Sequence, residues 1–271
     1  MNSKKNWFYV ATLAAGALLL GSSDCRAQIT LGTASSFGAL AGSAVTNTGA
    51  TVIKGNLGVS PGSAVSGFPP GAVLFPGTLH ITDAVAAQAQ LDLTTAYDAV
   101  AATPTEVDLT GSDLGGLTLT PGVYGFTSTA QLTGTLTLDA QGDPAAQFLF
   151  KVGSSLTTAS GSSVVLINGG SPCGIYWQVG TSATLGTTTQ LLGNILALSS
   201  ITLDTGSGLT GRTLARNGAL TLDGNAVAIC ANGGGGGGGP LTAVPTLSQL
   251  SLAVLAGLLG LAALFLLKTK L

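Results

Sequence analysis

Between Val123 and Ile229 the chain repeats one pattern of apolar and polar residues, with a period of about 18 residues. Each repeat contains a short apolar strand, a break of Gly, Ser or Asn, a strand that carries a polar residue, a second break and a third strand. Apolar and polar residues alternate with period two inside the strands, which predicts β-structure rather than helix. Three short strands in each repeat predict one turn of a three-sided β-solenoid.

One position of this repeat is occupied by threonine in four consecutive repeats. Its occupants are Thr157, Thr184, Thr202 and Thr221, and Gln131 takes the same position one repeat earlier. Successive side chains of a strand point to opposite sides, so the threonines should point outward while their apolar neighbours point inward. Stacked repeats would then place the threonines one above another on a flat surface, about 4.8 Å apart. The inward neighbours predicted on this strand are Leu156, Ala183, Leu185, Ile201, Leu203, Leu220 and Leu222.

The third strand of each repeat offers a rival surface. Its outward residues are Ser163, Thr188, Gln190 and Thr210, interspersed with glycines, and the row is less regular than the threonine row. Threonine is common on any exposed β-face, so neither row indicates a function by itself. Both surfaces therefore stay open as candidate sites.

Residues 82–103 are predicted to form one long α-helix. Thr82 or Asp83 can cap its start, and Pro104 ends it. Its apolar residues recur at spacings of three and four, which predicts a single apolar stripe packed against a flank of the solenoid. The stripe consists of Val85, Ala86, Ala89, Leu93, Ala96, Tyr97 and Val100.

Met1–Ala27 has the features of a secretory signal peptide. Two lysines precede an apolar run, and Cys25-Arg26-Ala27 provides a cleavage site before Gln28. The segment that follows, Ile29–Val73, is rich in turn sequences, and the short apolar runs between the turns predict further strands. The folded domain is therefore expected to span 28–232.

The C-terminal part of the sequence contains a linker and an apolar segment. Residues 233–243 begin with seven consecutive glycines, which predict a flexible tether. Residues 244–271 contain an apolar run long enough to cross a bilayer, followed by Lys268 and Lys270, which would stay on the cytoplasmic side. This arrangement predicts a C-terminal sorting or transmembrane segment, with a membrane as its partner.

Composition limits the chemistry that the chain can perform. Only 7% of its residues are charged, and residues 28–240 hold ten acidic and four basic side chains, which leaves no basic surface for nucleic acid. His80 is the only histidine and Glu106 the only glutamate, and no metal-ligand spacing or phosphate-binding loop occurs. Asp204 and Asp223 recur on successive repeats, but each precedes a turn that a carboxylate commonly caps. The sequence therefore predicts a monomeric binding protein with no catalytic residue, cofactor or metal.

Cys173 and Cys230 remain once a signal peptide is removed. An even pair of cysteines in an exported protein suggests a disulfide. The repeat register places them roughly 14 Å apart, so a bridge requires the 168–174 loop or the chain after Ile229 to fold along the solenoid. The sequence leaves both the pairing and its route open.

Several sequence strings point to a known family. LGTASSFGALAGSAVTNTG, GNLGVSPGSAVSGFPPG, LTPGVYGF, IYWQVGTSATLG and GRTLARNGALTLDGN occur in this order between Ile29 and Cys230. Together they resemble the DUF3494 ice-binding (antifreeze) proteins of cold-living microbes. The resemblance implies a mainly β fold: a discontinuous, right-handed, three-sided β-solenoid with one long α-helix packed alongside. The tail, with its VPTLS string, is similar to the IPTL-type C-terminal sorting signal of Gram-negative bacteria.

The resemblance and the residues together lead to one functional expectation and one alternative. We expect an exported protein, extracellular or anchored to the cell envelope, whose partner is the surface of an ice crystal. The candidate ice-binding residues are Thr157, Thr184, Thr202 and Thr221, and those of the rival face are Ser163, Thr188, Gln190 and Thr210. The alternative is a cell-surface adhesin or structural β-solenoid that binds a glycan or a protein. A polysaccharide lyase or hydrolase is disfavoured because histidine and glutamate are so scarce.

Overall fold

A computed structural model of the protein describes residues 28–230. This part of the chain contains 22 strands, one α-helix and two short 3-10 helices. The strands form one 15-stranded sheet and one seven-stranded sheet. All pairings between these strands are parallel, so the described fold is mainly β with parallel sheets and one helix.

The elements follow one another in three groups. The N-terminal strands are β1 (Phe37–Ala41), β2 (Ala44–Thr48), β3 (Val52–Lys54), β4 (Asn56–Val59), β5 (Ala64–Ser66), β6 (Ala72–Leu74) and β7 (Leu79–Ile81). After the helix come β8 (Val107–Asp108), β9 (Thr118–Leu119), β10 (Gly122–Phe126), β11 (Ala130–Leu132), β12 (Thr135–Asp139), β13 (Phe148–Val152), β14 (Leu156–Thr158) and β15 (Ser163–Ile167). The last group is β16 (Ile175–Val179), β17 (Ala183–Leu185), β18 (Gln190–Ala197), β19 (Ile201–Leu203), β20 (Gly208–Ala215), β21 (Leu220–Asp223) and β22 (Ala226–Ala228). The 3-10 helices are Gly32–Ser36 and Pro172–Gly174.

The repeat found in the sequence corresponds to a stack of strands. Each strand pairs with its counterpart in the next repeat, as β10, β13 and β16 do on one side and β11, β14 and β17 on another. The long strands β18 and β20 supply the third strand of one repeat and the first strand of the next. They turn at Gly193 and Gly211, and a side chain on Gly211 would collide with the carbonyl oxygen of Gly193.

The N-terminal strands extend this stack beyond the last C-terminal repeat. Strand β1 pairs with β20, β2 with β21, and β3 with β22. Strands β4, β5 and β6 then pair with β1, β2 and β3, and β7 pairs with β4. The first strands of the chain therefore lie beside the last ones, in one continuous ladder.

The core has two layers. Side chains from all three strands of each repeat fill the space inside the stack, where Phe150 is stacked on Trp177 at 4.0 Å and on Tyr124 at 5.4 Å between ring centroids. A second cluster lies between the α-helix and the sheet that contains β13 and β16. All seven inward residues predicted for the threonine-bearing strands are buried in the first cluster, which confirms the predicted alternation.

The α-helix, α1 (Ala84–Ala102), begins two residues later and ends one residue earlier than predicted. Asp83 is its N-cap, and Oδ1 of this residue accepts a hydrogen bond of 2.8 Å from the Ala86 amide. The seventh stripe residue, Val85, is 41% exposed, so its assignment to the stripe was wrong. It lies in the first turn at the edge of the stripe. The other six predicted residues are buried: Ala86, Ala89, Leu93, Ala96, Tyr97 and Val100.

Cys173 and Cys230 form a disulfide with their Cα atoms 5.5 Å apart. Cys173 lies in the 3-10 turn Pro172–Gly174, and Cys230 lies two residues after the end of β22. The 168–174 loop and the chain after Ile229 therefore meet at the disulfide. The buried Arg212 guanidinium lies against the bridge, donating to Cys230 Sγ at 3.1 Å and to Asn194 Oδ1 at 2.8 Å. Burial lowers the pKa of Arg212, although the nearby Tyr176 phenol acts in the opposite direction.

Within residues 28–230, no helix is long and apolar enough to cross a membrane. The predicted signal peptide at 1–27, the linker at 233–243 and the apolar segment at 244–271 lie outside the described residues.

Candidate functional site

The seven-stranded sheet carries a continuous row of outward side chains, one from each strand. In spatial order the row consists of Gln131, Thr157, Thr184, Thr202, Thr221, Thr46 and Ser66. The first five positions are paired in the register that the sequence period predicted. We call the outward surface of these strands, β11, β14, β17, β19, β21, β2 and β5, the threonine face.

Thr46 and Ser66 were not identified from the sequence period, because they belong to the N-terminal strands. A short local motif could have found them: a small residue, an apolar residue, then Thr or Ser. It occurs as Ala44-Val45-Thr46 and Ala64-Val65-Ser66, in the same form as Ser200-Ile201-Thr202. The motif places the hydroxyl outward and the apolar residue in the core, which is the arrangement that the ladder requires.

A second row of small side chains lies beside the first, two residues earlier in each repeat. Hydroxyls of neighbouring repeats approach each other along both rows. Thr129 and Ser155 are hydrogen bonded at 3.2 Å, and the Thr46 hydroxyl lies 3.5 Å from that of Thr221. The face is therefore covered by short side chains that leave it without large protrusions. The members of the second row are Thr129, Ser155, Ser182, Ser200, Ala219, Ala44 and Ala64.

Support from the core keeps this surface rigid. The residues that alternate with the row are buried, as the inward leucines and isoleucine of these strands show. Thr157 and Thr221 are exposed, whereas Thr184 and Thr202 are partly exposed. A buried β-core fixes the strand positions, so the outward hydroxyls are held at the repeat spacing.

Neither row of the threonine face contains a charged side chain, and the nearest carboxylates lie at its edge. Asp223 accepts hydrogen bonds from the hydroxyls of Thr48, at 2.9 Å, and Thr205. These hydrogen bonds, that of Thr205 first, lower the pKa of Asp223. Asp223 therefore connects threonine hydroxyls from the repeats on either side of it, which differs from the capping of its own turn that the sequence suggested.

The rival surface, which we call the second face, is formed by β12, β15, β22, β3, β6 and the first halves of β18 and β20. This surface mixes hydroxyl, apolar and charged side chains, with exposed Val165 and Leu74. One row contains Thr135, Ser163, Gln190, Gly208, Ala226, Val52 and Ala72. Beside it lie Thr137, Val165, Leu192, Thr210, Ala228, Lys54 and Leu74.

Thr188 does not belong to the strand row to which it was assigned. It lies in the turn before β18, which begins at Gln190, and its φ of 57° places it in the left-handed region. Its hydroxyl bonds to the carbonyl oxygen of Thr187 at 2.7 Å. The assignment was wrong because a threonine in this conformation ends the alternation that the sequence pattern assumed.

His80 takes part in a local hydrogen-bond chain at the start of the helix. Its Nδ1 lies 2.7 Å from Asp83 Oδ2, and its Nε2 lies 2.8 Å from the Thr78 hydroxyl. Asp83 is also the helix cap, so these hydrogen bonds connect β7 to α1. Among residues 28–230, no group of three His, Cys, Asp or Glu side chains is arranged to hold a metal ion.

The parallel strand stack and the single packed helix define a class of mainly β proteins with one helix. Within that class, the Ice-binding-like family model matches residues 39–228, and the chain belongs to this family. The ice-binding protein of Nostoc sp. (strain HG1) is 61% identical over 199 residues, which cover 73% of each chain.

Solved structures agree with this assignment. The crystal structure of an ice binding protein from an Antarctic biological consortium is 52% identical, with a TM-score of 0.73, and the match covers 76% of this chain and 93% of that one. The ice-binding protein of the Antarctic ascomycete Antarctomyces psychrotrophicus is 44% identical, with a TM-score of 0.71 and coverage of 74% and 97%.

Proposed function

We propose that this protein adsorbs to ice through the threonine face and thereby inhibits ice growth and recrystallisation. The observation that carries the proposal is the seven-membered row from Gln131 to Ser66, in which hydroxyl side chains repeat on adjacent parallel strands. Membership of the family supports ice as the ligand, and the geometry of the row supports the threonine face as the binding site.

Repetition and rigidity are what an ice surface requires of a protein. Adjacent strands are about 4.8 Å apart, which is close to the oxygen repeat on some ice planes. Hydroxyl groups can hydrogen bond to water at that spacing. The threonine methyl groups between them restrict the other ways in which water molecules could be arranged on the face. Bound molecules then curve the growth front between them, which lowers the freezing point locally. This mechanism needs neither a catalytic residue nor a cofactor.

The finer architecture belongs to the same proposal. We infer that the three series of paired strands form a discontinuous, right-handed, three-sided β-solenoid, and that the protein acts as a monomer. The pairing of β1, β2 and β3 with β20, β21 and β22 supports the discontinuity, because the N-terminal strands extend the C-terminal stack. The resemblance to the family supports the handedness.

We also propose that the protein is exported and held at the cell envelope. The support is the signal-like sequence at 1–27 and the glycine-rich and apolar segments at 233–243 and 244–271. Cell fractionation followed by mass spectrometry of the C-terminal peptide tests this part. Membrane-bound protein, or surface protein cut near Pro245, is expected. Intact full-length chain recovered as a soluble monomer from the medium would contradict it.

Thermal hysteresis and ice-recrystallisation assays on the purified protein test the function. We expect a measurable gap between melting and freezing points and small ice grains after annealing. A folded protein that shows neither effect, yet binds glycans or cells, would support the adhesin alternative instead.

A further inference from the structure

A cleft of about 650 Å³ opens beside the C-terminal end of α1. Its walls come from the helix, from the segment that follows it, and from the sheet strands β10, β13 and β16. The polar residues that line it include Glu106, Asp108, Thr127, Lys151 and Gln178. This volume is within the range of small-molecule sites, which is roughly 300–1,000 Å³.

Two of the charged side chains in the cleft are held in place by the backbone. Lys151 Nζ donates to the carbonyl oxygen of Thr103 at 2.5 Å, and Asp108 Oδ1 accepts from the Thr110 amide at 2.9 Å. Each of these two groups uses only part of its hydrogen-bonding capacity in this contact, since an ammonium has three donors and a carboxylate several acceptor positions. The cleft thus presents an oriented donor and an oriented acceptor.

Gln178 is the least expected member of the cleft. The residue is only 7% exposed, yet among the described residues its side-chain amide makes no hydrogen bond. Among the described residues, the fully buried side-chain atoms without a partner belong to Asn47, Gln147 and Arg216, so the Gln178 amide is open to the cleft and to the water in it. An amide at the wall of a cleft can instead bond to a molecule that enters it, offering both a donor and an acceptor.

We propose that this cleft binds a neutral polyhydroxylated ligand of the size of a mono- or disaccharide. Sugar hydroxyls donate to carboxylates and accept from ammonium and amide groups, so they match Asp108, Lys151 and Gln178 together. Two carboxylates beside one ammonium disfavour a phosphate or another anion. The ammonium in the same cleft disfavours a bare cation. The inference is independent of ice binding, because the cleft and the threonine face share no residue.

Saturation-transfer NMR on the full-length chain tests the proposal, with glucose, galactose, maltose and cellobiose as probes. At least one sugar should receive saturation from the protein and shift the side-chain amide resonances of Gln178. Gln178→Met preserves size but removes both hydrogen-bonding groups, and should weaken binding about tenfold, as the loss of a buried polar contact does. The matched control Gln190→Met lies on the second face and should bind the sugar as the wild type does.

Two results would overturn the proposal. One is the absence of saturation transfer from all four sugars at up to about 10 mM, where even millimolar affinity would be detected. The other is binding that leaves the Gln178 resonances unchanged in the wild-type chain, which does not depend on whether Gln178→Met folds. Thermal hysteresis should be the same with and without sugar at matched osmolality, so failure here leaves the proposed ice-binding function intact.

Discussion

Each repeat gives one strand to the threonine face and one to the second face, so the two surfaces share the same strand spacing and the same core. The threonine face carries hydroxyls or Gln131 along its main row and small side chains along the next. The second face interrupts its hydroxyls with Gly208, Val165, Leu192 and Lys54. The two faces therefore have the same strand spacing but different outward side chains.

This difference separates what the fold imposes from what binding requires. Parallel stacking places side chains at a regular spacing on every face, whatever the residues are. A uniform outward row is not needed for stability, because exposed strand positions tolerate many residues. Uniformity on one face alone indicates a constraint from outside the fold, and a regular crystalline surface would impose one. The following predictions test this comparison, beginning with a change that should abolish both faces.

Ala89→Arg should unfold the domain and remove both faces together. Ala89 is fully buried between α1 and the sheet, and an unpaired charge placed there would cost on the order of several kcal/mol. Circular dichroism melting measures the effect. Leu91→Arg is the matched control, because Leu91 is on the same helix and 63% exposed. Equal melting temperatures for the two variants would contradict the packing of Ala89 between α1 and the sheet.

Replacing both cysteines, Cys173→Ser with Cys230→Ser, should destabilise both faces equally without changing their chemistry. The two cysteines are 57 residues apart in the sequence. Opening a loop of that size should cost about 4 kcal/mol, which lowers Tm by about 10 °C for a domain of this size. Thermal hysteresis near the freezing point should persist, since the variant remains folded in the cold. Loss of hysteresis with a native circular dichroism spectrum would connect the bridge to the site itself.

Thr46→Tyr tests whether the N-terminal strands belong to the threonine face. The variant should lose about half of the thermal hysteresis, because its ring would hold neighbouring strands, about 4.8 Å away on either side, off the ice. Lys54→Tyr is the control, since it is in the same repeat on the second face and is also exposed. Equal losses in both variants would mean that the face does not determine the effect.

The smallest effect concerns acid stability at the edge of the threonine face. Hydrogen bonds from Thr205 and Thr48 hold the pKa of Asp223 below its ordinary value. A lowered folded-state pKa contributes stability above the ordinary value and loses it as the pH falls toward the folded-state value. Melting temperatures measured from about pH 5 to about pH 2 should therefore fall less steeply in Asp223→Asn than in the wild type. Parallel curves would show that the Asp223 contacts do not contribute.

The features predicted correctly from the sequence depend on local rules. Alternation along a strand assigned Leu156 and Ile201 to the core, and the period of the repeat placed Thr157, Thr184 and Thr202 in one register. Helical spacing likewise identified six of the seven stripe residues. Each of these inferences needs only the geometry of a few neighbouring residues.

The features that were missed depend on long-range pairing or on single backbone conformations. Thr46 meets Thr221 across 175 residues of sequence, and no local rule says which end of the stack the N-terminal strands will join. The separation estimated for the two cysteines assumed regular corners, whereas the Pro172–Gly174 turn packs against β18 and β20 and brings Cys173 to Cys230. Thr188 was misplaced because its positive φ puts it in a turn, two residues before β18 begins at Gln190.

Thermal hysteresis of two paired variants tests the central claim most directly. Thr184→Tyr with Thr202→Tyr alters the centre of the threonine face, and Gln190→Tyr with Thr210→Tyr makes the equivalent change on the second face. At equal concentration, and with melting curves showing that both are folded, the first variant should lose nearly all hysteresis and the second should retain it. Full activity in the first variant together with loss in the second would contradict the account and assign ice binding to the second face.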